Sequence, residues 1–227
     1  PRRLIAVTNS RASPLAERAE VVIDVAAGTE TAIPASKSVS ATVAVLLRAA
    51  SILAGSEARD ATALIETADA VDAWFASPGF SELVDVGTSI ARCGNVIFLG
   101  SDYGYPIARE AALKMKEASY VHAEGFAAGE FRHGSIAMVD SSYAVTGIAD
   151  SDAMPVVERP MREIRNSGAR RIAIGCVIDG IAPVGPHVGE AFNTLGWLLA
   201  IQTLALSVAR ARGIDPDHPR GLKKALE

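Results

Sequence analysis

The chain has 227 residues, and its 22 Lys and Arg against 26 Asp and Glu give a net charge of −4. This balance, without a long basic run, argues against nucleic acid and against an anionic membrane surface as partners. Hydrophobic residues make up 49% and aromatic residues only 5%, which is typical of short parallel strands covered by helices. Cys93 and Cys176 form no CxxC pattern, and no signal peptide is evident, so we expect reduced thiols and a cytoplasmic protein.

The first part of the chain predicts two short strands among several helices. The strands lie in 3–9 and 19–28, and the helices begin near Pro14 and cover 36–54 and 60–74. Ser13 and Ser36 are expected N-caps, because each hydroxyl precedes a helical pattern. The segment 76–80, "ASPGF", predicts a linker. Since the chain opens directly on a strand without Met, we also expect it to begin partway through a domain.

The second part alternates strands and helices more regularly. The predicted elements are a helix at 81–92, a strand at 95–100, a helix at 106–120, a strand ending near Asp150, a helix at 155–167, a strand at 170–175 and a long helix at 189–211. This alternation predicts an α/β fold with parallel sheets and helices on both faces. The uncharged run 191–209 contains Asn193 and Gln202, which favours a buried or interface helix over a membrane span.

The helix predicted at 106–120 carries a set of charged residues on one face. Glu110, Lys114 and Glu117 are spaced i, i+4 and i+7, so they lie on the same side. One interpretation is a solvated stripe of salt bridges. The other is a carboxylate flanked by a lysine, which could move a proton between adjacent carbons as an aldose–ketose interconversion requires.

Two segments rich in small residues predict loops that can approach a ligand closely. The first, "AEGFAAGEFRHGS", contains His133, whose side chain suits proton transfer near neutral pH. The second, "AAGTETAIPASKS", contains Glu30 and ends in hydroxyls at a helix start. The alternative interpretation is an ordinary loop in each case, with an exposed His133, the commoner situation for a lone loop histidine, and a capped helix. His122 is expected to be structural.

Three blocks of the sequence resemble the isomerase part of the glucosamine-6-phosphate synthase family: "YPIAREAALKMKEASYVHAEGFAAGEFRHG", "AGTETAIPASK" and "DPDHPRGLKKALE". The resemblance implies two flavodoxin-like sugar isomerase (SIS) domains, each a three-layer α/β/α unit with a parallel sheet. Residues 1–77 would be the C-terminal half of a first SIS domain, truncated at its N-terminus. Residues 78–212 would be the second SIS domain, and 213–227 a C-terminal active-site tail.

The resemblance also implies roles for individual residues. Glu117 would carry the proton between C1 and C2, with Glu110 and Lys114 setting its charge. His133 would open the sugar ring from the neighbouring subunit, which implies a homodimer. Lys224, or the adjacent Lys223, would form a Schiff base with the open-chain ketose. The implied substrate-binding residues are Glu30, Ile33, Ala35, Ser36 and Lys223. Because no cluster of His, Cys and Asp has the spacing of metal ligands, we expect neither a metal nor an organic cofactor.

The sequence also departs from the family. A phosphate-gripping Ser/Thr loop would lie before Pro1, and "RHGS" stands where the synthases have "KHGP". In these respects the sequence is more similar to stand-alone amino-sugar-phosphate deaminases. We therefore expect interconversion of glucosamine 6-phosphate with fructose 6-phosphate plus ammonia. The alternatives are the isomerase part of a glutamine-dependent aminotransferase, simple isomerisation of a non-amino sugar phosphate, and a non-catalytic module that binds a sugar phosphate.

Overall fold

The structure, a computed structural model, describes residues 3–224 apart from the side chains of 57–59 and 191. The strands are β1 (Ile5–Thr8), β2 (Val21–Asp24), β3 (Asn95–Gly100), β4 (His122–Ala127), β5 (Tyr143–Ala149) and β6 (Arg170–Gly175). The helices are α1 (Pro14–Arg18), α2 (Lys37–Leu53), α3 (Glu57–Phe75), α4 (Pro78–Ile90), α5 (Gly104–Ser119), α6 (Ala128–Phe131), α7 (Met154–Glu163) and α8 (Asn193–Ala211).

The strands form two parallel sheets. The larger has the order β4-β3-β5-β6, with Asn95 of β3 opposite His122 on one side and Tyr143 on the other. The smaller pairs β1 with β2, with Ile5 opposite Val21. The predicted α/β class with parallel strands is confirmed.

Helices cover both faces of the larger sheet because its strands alternate between two apolar clusters. Val96 and Phe98 of β3 pack with α4, α5 and α8, whereas Ile97 and Leu99 pack with α6 and α7. Each of these side chains is almost fully buried. Burying such a side chain contributes roughly 1.5–3 kcal/mol, so the two clusters hold the three layers together.

Helix α8 is long and apolar enough to cross a membrane by length and composition. However, 61% of its apolar window is buried inside the protein. Trp197 and Leu204 on this helix belong to the core cluster with α4 and α5. The predicted buried helix is therefore confirmed, although it begins at Asn193, after a short 3-10 helix at Glu190–Phe192.

The loop predicted around "AEGFAAGEFRHGS" is partly wrong, because it contains β4 and the one-turn helix α6. A strand forms there since β3 offers an edge for parallel pairing along its whole length. Gly125 makes the close approach to α5 possible: a Cβ atom at this position would lie 2.5 Å from the carbonyl oxygen of Ala108.

The linker predicted at 76–80 is also wrong, because α4 begins within it at Pro78. Proline fits the first turn of a helix, where its missing N–H has no intrahelical partner. Phe80 packs edge-on against Trp74, with ring centroids 5.3 Å apart. An aromatic contact therefore holds α3 and α4 together at the point where the sequence predicts a flexible joint.

Asp179, in the turn after β6, is the centre of an arginine cluster. Its side chain is only 3% exposed and contacts Arg165, Arg171 and, at 3.6 Å, Arg162. Hydrogen bonds from Arg165 and Arg171 outweigh the effect of burial and lower the pKa of Asp179 to about 2. This carboxylate therefore contributes stability above its unfolded pKa, and the contribution is lost as pH falls from about 4 to about 2.

We expect Asp179→Asn to lower the free energy of unfolding at pH 7 by about 1–2 kcal/mol, because three guanidinium groups lose their counter-charge and solvent screens part of the effect. The difference from wild type should shrink as pH falls to 3. Urea unfolding at pH 7, 4.5 and 3 measures it, with the exposed Asp72→Asn on α3 as the matched control. A deficit that is equal at all three pH values would contradict the assignment.

Candidate active site

Three charged residues of α5, Glu110, Lys114 and Glu117, form a partly buried ion-pair cluster rather than a solvated stripe. Lys114 is only 5% exposed, and its Nζ lies 2.5 Å from Oε2 of Glu117 and 3.6 Å from Oε1 of Glu110. A buried ammonium needs such partners, because an unpaired charge inside a protein costs several kcal/mol. The helical spacing predicted this grouping, and the structure brings the three side chains together.

Two carboxylate oxygens of this cluster remain available for hydrogen bonds. Oε1 of Glu110 is buried and has no hydrogen-bond partner. Glu117 uses Oε2 to bind Lys114, and no residue of 3–224 that the structure describes donates to its Oε1. Buried acceptors are usually satisfied, so the unpaired oxygen of Glu110, beside the partly exposed Glu117 carboxylate, marks a place where a ligand can donate or exchange a proton.

Glu30 caps helix α2 from the preceding loop. Its Oε1 accepts hydrogen bonds from the backbone N–H of Ser36 and Ser38, and its Oε2 accepts one from the Ser38 hydroxyl. Burial acts to raise the pKa of Glu30, but these hydrogen bonds and the nearby Lys224 charge together hold it below its ordinary value. The prediction that the Ser36 side chain caps this helix is wrong, because Glu30 reaches the free N–H groups instead.

The C-terminal tail brings Lys224 to the Glu30 loop. The Nζ of Lys224 donates hydrogen bonds to the backbone carbonyls of Glu30 and Ala32 and lies 3.7 Å from Oε2 of Glu30. Arg220 anchors the tail on Tyr120: its N–H donates to the Tyr120 hydroxyl at 2.6 Å, and its guanidinium lies 4.4 Å from the ring centre. Because Tyr120 caps the C-terminus of α5, the tail links that helix to the Glu30 loop.

Two adjoining cavities lie along this tail. The larger, about 870 Å³, is lined by Glu30, Thr31, Ile33, Asp217, His218, Pro219, Leu222, Lys223 and Lys224. The smaller, about 320 Å³, has an apolar wall of α4 and α8 residues and includes Lys114, Ser36 and Asp217 in its lining. Since Asp217 lines both, the cavities are neighbours. The structure thus gathers most of the predicted site residues, and Ala35 lies half-buried in the same loop.

His133 lies apart from these cavities within one chain. It is exposed, and it follows α6 just before the 3-10 helix Ser135–Met138. It is absent from the lining of both cavities. His122 lies on β4 with its Nδ1 3.1 Å from Oδ1 of Asn95 on β3, which agrees with the predicted structural role.

Two polar residues at the cavities have no place in the sequence-based site. Gln202 donates from Nε2 to the Ser36 carbonyl at 3.2 Å and to the Ser40 hydroxyl at 3.1 Å, so it ties the start of α2 to α8. His218 lines the larger cavity. For Gln202, the sequence feature that could have indicated a role is an amide in an otherwise apolar helix. For His218, it is a histidine close to two aspartates in "DPDHP".

The layered fold and the charged cluster beside a cavity define an α/β domain that can hold a small polar ligand. Residues 89–181 match the family model of the SIS domain. The chain is 31% identical, over 99% of its length, to the glutamine–fructose-6-phosphate aminotransferase (isomerizing) of Brucella abortus. The predicted resemblance to this family is confirmed.

Solved structures show the same fold. The C-terminal domain of glucosamine-fructose-6-phosphate aminotransferase from Francisella tularensis matches 94% of this chain and 64% of its own, at 22% identity and a TM-score of 0.79. Glucosamine-6-phosphate deaminase from Thermotoga maritima matches 97% of this chain and 65% of its own, at 24% identity and a TM-score of 0.76. The chain spans 39% of the length of the Brucella relative.

Proposed function

We propose that the protein is a phosphosugar isomerase that interconverts glucosamine 6-phosphate plus water with fructose 6-phosphate plus ammonia. The observation that supports this most directly is the buried Lys114 between Glu110 and Glu117, each with a carboxylate oxygen left available. The relatives, whose names describe isomerizing aminotransferases and a deaminase of amino-sugar phosphates, support the substrate class.

In the proposed mechanism, Glu117 is the base that removes a proton from one carbon of the open-chain sugar and returns it to the adjacent carbon. Its ion pair with Lys114 fixes its orientation and leaves Oε1 to exchange the proton. Glu110 balances the buried ammonium and offers its unpaired oxygen to a substrate hydroxyl. Glu30, Ile33, Ala35, Ser36 and Lys223 contribute to the substrate-binding surface.

Lys224 is the proposed amine that forms a Schiff base with the ketose carbonyl. Its contacts with Glu30 and Ala32 at the larger cavity favour it over Lys223, which lines the same cavity. To react, Lys224 must give up these contacts and lose a proton. His133 is the proposed ring-opening residue, donated to the site by the partner in a homodimer.

The proposal extends to the organisation and location of the protein. Residues 1–77 form the C-terminal half of a first SIS domain, 78–212 a second, and 213–227 the active-site tail. The pairing of β1 with β2, separate from the larger sheet, supports this division. We place the protein in the cytoplasm, in keeping with free Cys93 and Cys176.

A second candidate function is the isomerase part of a glutamine-dependent aminotransferase. The names of the relatives favour it, since the Brucella protein is described as using glutamine and fructose 6-phosphate. A third candidate, from another class, is a module that binds a sugar phosphate without converting it. This last role has no need of the ion-pair cluster on α5.

Ammonia release from glucosamine 6-phosphate by the full-length gene product, with and without glutamine, tests the proposal. Ammonia and fructose 6-phosphate without glutamine are expected from a deaminase. Glucosamine 6-phosphate formed from fructose 6-phosphate only when glutamine is present would establish the aminotransferase instead. Tight binding of the sugar phosphate with no turnover in any mixture would contradict both enzymatic functions.

A further inference from the structure

Asp215 and His218 in the tail form a carboxylate–imidazole pair whose side chains are 63% and 86% exposed. Nδ1 of His218 lies 2.9 Å from Oδ2 of Asp215. The other carboxylate oxygen, Oδ1, accepts a hydrogen bond from the backbone N–H of Asp217 at 3.0 Å. A carboxylate held from both sides orients the imidazole, and it favours a proton on Nδ1, which leaves Nε2 as the nitrogen that can exchange a proton with a ligand.

The pair lies at the same cavity as the proposed Schiff-base lysine. His218 shares this lining with four charged residues, namely Glu30, Asp217, Lys223 and Lys224. The hydrogen bond and charge of Asp215 raise the pKa of His218 above its ordinary value; desolvation acts in the opposite direction, and the charge of Asp217 adds to the rise. The imidazolium is therefore more populated near neutral pH than that of an unpaired histidine, which favours its acting as an acid.

Among the histidines of residues 3–224, His218 alone contributes to the lining of either cavity. His122 is held on β4 by Asn95, and both His133 and His187 are exposed away from these linings. The carboxylate of Glu30 is already occupied by three hydrogen bonds from Ser36 and Ser38. His218 is thus the group at this cavity best suited to deliver a proton.

We propose that His218 is the general acid for imine formation at Lys224, an inference that rests on the proposed function. The neutral Lys224 amine adds to C2 of the ketose and gives a carbinolamine. The His218 imidazolium donates its Nε2 proton to the carbinolamine hydroxyl as the C–O bond breaks. Water leaves, the nitrogen lone pair forms the C=N bond, and a protonated imine and a neutral imidazole remain. The reverse sequence hydrolyses the imine.

Oxygen exchange at the ketose carbonyl measures this step without measuring isomerisation. Reversible imine formation replaces the C2 oxygen of fructose 6-phosphate with oxygen from H₂¹⁸O, which mass spectrometry detects. We expect His218→Gln to slow the enzyme-dependent exchange about 10–100-fold at pH 7, within the usual range for a general acid that is partly replaced by solvent. His122→Gln, which changes a histidine outside both cavities, is the matched control.

The pH profile separates an acid from a structural residue. In the wild-type protein, the rate of oxygen exchange should decrease as the pH rises through the titration of His218. In His218→Gln this decrease of the rate with pH should be absent. Asp215→Asn should move the decrease to lower pH, because the imidazolium loses its counter-charge. Borohydride reduction followed by peptide mass spectrometry should locate the trapped adduct on Lys224 in all these variants.

The outcomes distinguish the inference from the function on which it rests. Exchange by His218→Gln at the wild-type rate, with the same pH profile, would overturn the role of His218 while the Schiff base at Lys224 remained. If wild type gave neither exchange nor a trapped adduct, the imine step of the proposed function would be wrong, and the role of His218 with it.

Discussion

If the protein catalyses the proposed sugar interconversion, Glu117→Gln is expected to lower its kcat about 10²–10⁴-fold, with a much smaller change in KM. Glutamine has nearly the same shape, and its amide oxygen can still accept the hydrogen bond from Lys114. It cannot take a proton from carbon, so the loss falls on the chemical step. Steady-state kinetics, together with deuterium exchange at C1 and C2 followed by NMR, measures both quantities.

The matched control for this variant is Glu124→Gln, which changes an exposed carboxylate on β4 outside both cavities. Its kinetics should equal those of wild type. Turnover and deuterium exchange that persisted in Glu117→Gln would exclude the proton-transfer role. A raised KM with unchanged kcat would instead assign Glu117 to substrate binding alone.

Gly100→Ala is expected to give the largest loss of stability, about 2–4 kcal/mol, because the side chain has no space. A Cβ atom at this position, the end of β3, would lie 2.2 Å from the carbonyl oxygen of Gly104 and 2.6 Å from the backbone nitrogen of Tyr105. Both contacts are with the start of α5, so that helix would have to move away from the sheet. For a chain of this size we expect a Tm lower by about 5–15 °C.

Thermal and urea unfolding of Gly100→Ala beside Gly129→Ala measure this effect. A Cβ atom at Gly129, in α6, would meet nothing within 4 Å, so this control removes a glycine without a steric clash. We expect the control to remain within about 1 kcal/mol of wild type. Equal stabilities for the two variants would mean that the turn between β3 and α5 can relax freely.

The most accurate predictions concern elements that are determined by neighbouring residues in the sequence. The strand at 170–175 and the strand at 95–100 have the predicted bounds, because each is a short apolar run flanked by turn residues. The cluster of Glu110, Lys114 and Glu117 also followed from helical spacing alone. A helix brings such side chains together whatever the rest of the chain does.

The parts that were missed depend on distant contacts. The segment of β4 is rich in Gly and Ala and carries Glu124, so its composition does not favour a strand. It forms one because β3 pairs with it and Gly125 lies against α5. Glu30 caps α2 from six residues before Ser36, and the cavity position of His218 depends on how the tail folds back. None of these contacts joins residues at a regular helical or strand spacing, so the sequence pattern could not predict them.

The bonds of Lys224 to the Glu30 loop join residues 192 and 194 positions apart. Contacts between such distant segments close the largest loops in a chain, and they tend to form after local structure is in place. During synthesis, the four-stranded sheet can assemble while the cavity at the tail still lacks the residues around Lys224. A newly made chain would therefore complete this cavity only once the segment around Lys224 has been translated and has folded back.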